Sequence, residues 1–110
     1  MSPLPPLASL RQHLVLEAPV DTPDAAGGLA RRYVAAGSAW CAVTPLKASD
    51  APLADAPALA ITHRVTLRWR AGVTAAMRWR EGDRVLDIRT VFDPDERRRA
   101  LVCLCQETRP

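Results

Sequence analysis

The stretch 61–70, ITHRVTLRWR, alternates from one residue to the next. Ile61, Val65, Leu67 and Trp69 fall on one row, which His63 shares. Thr62, Arg64, Thr66, Arg68 and Arg70 fall on the other. A period of two predicts a β-strand with one buried face. The apolar row should pack inward and Arg64, Arg68 and Arg70 should face outward. No acid alternates with these arginines, so the partner of that face is the first question the chain raises.

The flanking segments read in the same way. LRQHLVLEAP (10–19) alternates through Leu10, Leu14 and Leu16 and predicts a strand ending at Pro19. VDTPDAAGG (20–28) is turn chemistry. LARRYVAAG (29–37) fits a short strand or a helical turn, with Tyr33 and Val34 favouring the strand. SAWCAVTPL (38–46) sets Trp40, Ala42 and Leu46 against Cys41 and Val43, which predicts a strand buried on both faces. Residues 47–60 break the pattern, and Pro52 and Pro57 argue against a continuous helix there. Loops of this length inside a compact domain are usually functional or disordered. After the turn RAGVT (70–74) come MRWREGD (77–83), ending in a turn, and RVLDIRTVFD (84–93), with Leu86, Ile88 and Phe92 in one row. Pro94 suits the second position of a β-turn. RALVCLCQE (99–107) is a final strand, apolar on both rows. Six or seven short strands with no helix predict an all-β fold, a small barrel or sandwich. Residues 1–9, with three prolines, read as a flexible arm, and 10–110 as a single domain.

Composition narrows the function classes. At 110 residues and 48% hydrophobic, the chain is one globular domain and not a disordered one. It has no apolar run of membrane-spanning length. The start MSPLPPLASL lacks the pattern of a secretory signal, so a cytoplasmic setting with reduced thiols is expected. The net charge of +3 is uneven. Residues 1–59 carry four basic and five acidic groups, residues 60–110 eleven and seven. Fourteen of the fifteen basic residues are Arg, which pairs bidentately with carboxylates and phosphates; a GC-rich genome would also produce this bias.

Candidate chemistry is sparse. The sequence has no Gly-rich phosphate loop, no HExxH and no GxSxG. No enzymatic activity is expected. Cys41, Cys103 and Cys105 are an odd set. Cys103 and Cys105 with His13 and His63 would make a zinc site only at unusual spacing, so small apolar residues in a packed strand are the simpler reading. His13 reads as a surface or rim residue and His63 as a satisfied histidine at the core edge. Asp83, Asp87, Asp93, Asp95 and Glu96 lie among arginines and read as paired on a solvated face. Trp69 and Trp79 beside Arg68, Arg70, Arg78 and Arg80 leave a single-stranded nucleic-acid platform open, although both tryptophans read first as core.

Taken in order, the motifs LRQHLVLEAPVDTPDAAGG, WCAVTPL, a long loop, THRVTLRWRAGVTAAMR and RVLDIRTVFDPDERRRALVCLCQE resemble the phage head–tail joining family of head-closure, or stopper, proteins. The resemblance covers residues 10–107. It implies a small β-barrel that assembles as a ring, six copies favoured and twelve possible. The ring would sit between a portal–adaptor complex and a tail terminator or tail tube, in the neck of a virion or phage-like particle assembled in the bacterial cytoplasm. It would retain packaged double-stranded DNA, touched non-specifically, and offer the tail a docking surface. No cofactor, metal or membrane is implied. The Ala- and Arg-rich composition also suits a gene transfer agent. A tail-side terminator-like ring protein is the alternative within such particles. The loop 47–60, with Lys47, Asp50, Pro52, Leu53, Asp55 and Pro57, occupies the place of the family's channel loop. A ring needs contacts between two different faces of the subunit. Arg64, Arg68 and Arg70 would then meet a neighbour or the adaptor, with Glu81, Asp83, Asp93, Asp95 and Glu96 as candidate acidic partners. DNA phosphates and solvent are the other options for the same face.

Overall fold

The computed structural model describes residues 9–46 and 61–108. Six strands make up most of them: β1 (Gln12–Pro23), β2 (Leu29–Pro45), β3 (His63–Arg68), β4 (Arg78–Glu81), β5 (Arg84–Phe92) and β6 (Ala100–Thr108). They close into an antiparallel barrel in the order β1-β2-β3-β6-β5-β4. The all-β reading of the sequence and its small barrel are thus the observed architecture. Positions 1–8 of the expected arm and the whole of loop 47–60, Lys47, Asp50, Pro52, Leu53, Asp55 and Pro57 included, lie outside the described residues.

Every strand sends side chains into one core. Leu14 and Leu16 come from β1, Cys41 from β2, Val65 and Leu67 from β3, Trp79 from β4, Leu86 and Ile88 from β5, and Leu101, Cys103 and Cys105 from β6. The alternation seen in 61–70 and 10–19 is this inward row. In 84–93 it holds for Leu86 and Ile88 only, because a bulge at Arg89 turns Val91 inward and leaves Phe92, expected in the same row, 42% exposed. Closure depends on β4, only four residues long, whose Trp79 pairs with Leu16 on one side and Leu86 on the other. Trp79 is fully buried.

Three further expectations need correction. First, Trp40 is not in the core but 59% exposed, because Cys41 takes the inward position of its strand. The segment 38–46 is buried on one face, not both. Second, the arginine row is not uniformly exposed. Arg64 is 7% exposed, and Thr66 and Val102 are fully buried. Leu104 lies opposite Arg64 and Val102 opposite Thr66, so Arg64 does stand on the outer side of β3–β6 as its row predicts, but within a patch that is buried and partly apolar.

Third, β1 runs to Pro23 instead of ending at Pro19, and the turn shrinks to Asp24–Gly28. Asp24 N donates to Gly28 O, and the Asp24 carboxylate accepts from Ala26 N and Gly28 N. Gly27 takes a φ of 85°, in the region that favours glycine. From the Asp24–Gly28 bond the ladder alternates outward. The pairs Thr22–Ala30, Val20–Arg32 and Ala18–Val34 exchange hydrogen bonds; Pro23–Leu29, Asp21–Arg31 and Pro19–Tyr33 turn theirs away from the hairpin. Both prolines therefore stand where no ladder donor is needed. Ala36 is the extra residue of a bulge opposite Leu16 and Glu17. Beyond it the hairpin leaves the barrel, where neither β3 nor β4 pairs with it.

Replacing Trp79 with alanine removes the largest core side chain at the closing strand. We expect Trp79→Ala to destabilise the fold by about 3–5 kcal/mol. Urea unfolding followed by far-UV circular dichroism measures this, and a loss below about 1 kcal/mol would mean that β4 does not close the core.

Candidate functional site

Three side-chain groups decorate the outside of the barrel. The first is apolar and exposed. His13 and Trp40 are cross-strand partners, with ring centroids 4.9 Å apart at 49°. One step on from the Cys41–Leu67 pair, Trp40 lies in line with Arg68, which is exposed. Phe92, 42% exposed, stands opposite Val102 on the same outer face. An exposed tryptophan with a flanking arginine has the composition of an interface anchor.

The second group clasps the barrel's closing edge. Arg78 Nε donates to Glu17 Oε1 at 2.7 Å, and Arg80 Nη1 lies 3.5 Å from Glu17 Oε2. The Arg78 guanidinium also stacks over the Tyr33 ring at 3.9 Å, tying the hairpin to β4. An open cleft of about 250 Å³ beside it is lined by Arg31, Tyr33, Met77, Asp87 and Arg89. Its arginines are engaged: Arg31 with Asp21 at 2.8 Å and Arg89 with Gln106 at 2.7 Å. The Arg31 hydrogen bond holds the Asp21 carboxyl below its ordinary range.

The third group closes the barrel end where the chain enters β3. Arg84 Nε donates to Glu107 Oε2 at 2.7 Å, and Arg84 Nη2 lies 3.0 Å from His63 Nε2. A guanidinium only donates, so Nε2 accepts and Nδ1 carries the proton toward Thr62 Oγ1, 2.8 Å away. Thr62 Oγ1 also accepts from Glu107 N at 2.8 Å. His63 is thus held in a network at the core edge, as its row in the sequence suggested. His13, by contrast, lies on the outer surface, while Cys103 and Cys105 point into the core, so these residues do not converge on one zinc ion. Among the described residues no group of three or more His, Cys, Asp or Glu side chains gathers for a metal.

The acidic candidates divide. Asp93 and Asp95 serve their own turn. Asp93 Oδ2 accepts from Arg98 N, and Asp95 accepts from Arg97 N and from Arg99, the latter at 2.6 Å. These bonds, the Arg99 side chain first, hold the Asp95 carboxyl low. The turn needs them because Glu96 and Arg98 both adopt positive φ, 59° and 57°. Glu81 and Asp83 sit at the β4–β5 turn, with Asp83 exposed. Arg70 is half-buried and donates to Ser38 O at 3.0 Å. Of the three arginines, Arg68 alone stands exposed. The Glu17 clasp went unseen in the sequence, because its partners Arg78 and Arg80 lie some sixty positions away; a lone acid in an apolar strand was the available signal.

The model of the phage head completion protein family matches residues 5–108. The chain belongs to that family. Two solved structures share its fold. A chain of the virion of a native gene transfer agent particle is 29% identical, with a TM-score of 0.65, and the match covers 92% of this chain and 97% of that one. Protein SF1141 from Shigella flexneri 2a, solved in solution, is 26% identical with a TM-score of 0.70, covering 89% and 92%. No curated protein matches. The head completion chain is accordingly a structural protein of the head–tail region of phage-like particles. The single-strand platform loses its support from the geometry: Trp79 is in the core, and Trp69 is half-buried with the Arg98 guanidinium 5.2 Å from its ring.

All three thiols of this head completion protein are buried. Burial pushes Cys41 up to about 12 and Cys103 up to about 11. Burial raises Cys105 as well. At pH 8 all three should remain protonated and shielded. Iodoacetamide should therefore label none of them in the native protein and all three in urea, as mass spectrometry reads directly. Fast native labelling would show that the barrel opens.

Proposed function

We propose that this protein is the head-closure, or stopper, subunit of a phage-like particle, working as a ring between the portal–adaptor complex and the tail. In this reading the ring retains the packaged double-stranded DNA and gives the tail its docking surface. Six copies are the favoured number. The family match over residues 5–108 supports the setting, and the gene transfer agent virion chain supports a domesticated particle as one such setting. The observation that carries the reading is the outer face of the closed barrel. Trp40 is 59% and Phe92 42% exposed, with Arg68 between their strands. Large apolar side chains held in water beside an exposed guanidinium mark a surface that is covered on assembly.

The arginine question of the sequence then takes a narrower form. Arg64 is buried, Arg70 is bound to Ser38, and Arg68 is the residue available to an acid on a neighbouring subunit or on the adaptor. Glu81 and Asp83 remain better partner candidates than Asp93, whose Oδ2 holds its own turn, and Asp95, which is paired with Arg99.

The test is assembly with variants that leave the barrel intact. Trp40→Ala and Arg68→Glu should keep wild-type circular dichroism and melting. Each should lower the yield of tailed particles about tenfold or more, the scale of losing one interface anchor. Unchanged tailed-particle yield with both variants would remove this face from the reading.

A further inference from the structure

The hairpin that leaves the barrel has two edges, and they are not equivalent. On the β1 edge the outward groups belong to Pro19, Asp21 and Pro23, and two of these three have no N–H. On the β2 edge they belong to Leu29, Arg31, Tyr33 and Ala35, and all four keep their N–H. One edge is blunted in the way sheet edges are protected from pairing, while the other is left able to pair. Further along β2, past the bulge, Arg70 donates to Ser38 O. The open stretch is therefore bounded by Arg70 at one end and the Asp24 turn at the other. Leu29 at 70% and Val34 at 37% exposure show how bare this strand stands.

We propose that this β2 edge, Leu29–Ala35, is a docking site for an extended strand of a different protein, which adds to the hairpin by main-chain hydrogen bonding. A second copy of this chain is poorly placed to supply that strand in a ring. Among the described residues the barrel is closed, so a neighbour offers only its proline-blunted β1 edge to a head-to-tail contact. Outside the described residues, 1–8 contain Pro3, Pro5 and Pro6, and 47–60 contain Pro52 and Pro57. The side chains define the partner's chemistry. Val34, Arg32 and Ala30 share one face of β2, and Arg32 has Val20, not an acid, opposite it. The added strand should carry small or apolar residues at alternate positions, with one acid to meet Arg32. On the reading given above, that strand belongs to another structural protein of the particle.

The experiment compares matched edge blocks in purified particles. Leu29→Pro with Arg31→Pro removes two donors from the β2 edge. Asp21→Pro removes the last donor from the β1 edge, and both variants break the same Asp21–Arg31 pair. Quantitative mass spectrometry should find the double variant reduced about tenfold per particle, as expected for two lost edge hydrogen bonds, and Asp21→Pro near the wild-type amount. In parallel, benzoylphenylalanine placed at position 29 of an otherwise wild-type chain should crosslink to a different protein of the particle. Equal incorporation of both variants, or a crosslink joining two copies of this chain, would overturn the proposal while leaving the stopper reading standing. Absence of the wild-type chain from purified particles would overturn both.

Discussion

The pairing of a four-residue strand, β4, with the middle of β1 is the constraint on which the rest depends. Leu16–Trp79 closes the barrel on the inside, and Glu17 with Arg78 and Arg80 closes it on the outside. Apolar burial supplies the drive, and the carboxylate held between two guanidiniums fixes the register, since a one-residue slip would put Trp79 in water. Once closed, the barrel has no free edge of its own among the described residues. Among the described residues, whatever the protein offers to other chains must then lie on the outer face or on the hairpin that closure leaves projecting.

The same constraint explains the molecule's shape. It measures 49 × 31 × 27 Å, longer in one direction than a closed barrel needs. The twelve residues of β1 and seventeen of β2 exceed what their other neighbours can pair with. The bulge at Ala36 marks the point where the ribbon departs, and the Arg78–Tyr33 stack steadies its base. The fold thus separates a rigid, thiol-lined interior from an arm made of exposed strand. Such a division suits a connector subunit, whose work is to present surfaces to several partners at once.

Period-two alternation made much of this legible. The inward rows of β1 and β3 were readable because one face of each is largely apolar, whereas in β5 the bulge at Arg89 switches the inward row from Ile88 to Val91 and leaves Phe92 outside. What failed was local ambiguity. In 38–46 both rows are apolar, so Trp40 could not be assigned a side until Cys41 was seen to point inward. Pro19 looked like a stop because a proline inside a strand is rare, and only the ladder shows that its missing N–H faces outward. Arg64 was read as exposed because its burial is a tertiary property, and the strand's alternation sets its side of the sheet but not what lies over it. The Glu17 clasp has the same character: long-range pairing leaves no periodic trace in sequence. The family resemblance, resting on the order of motifs, carried further than any single candidate residue.

The central claim is that this barrel joins heads to tails. Electron microscopy of particles made in cells lacking the protein tests it most directly. The account predicts heads separated from tails, either filled with DNA or emptied by leakage. Normal tailed particles retaining their DNA would contradict it.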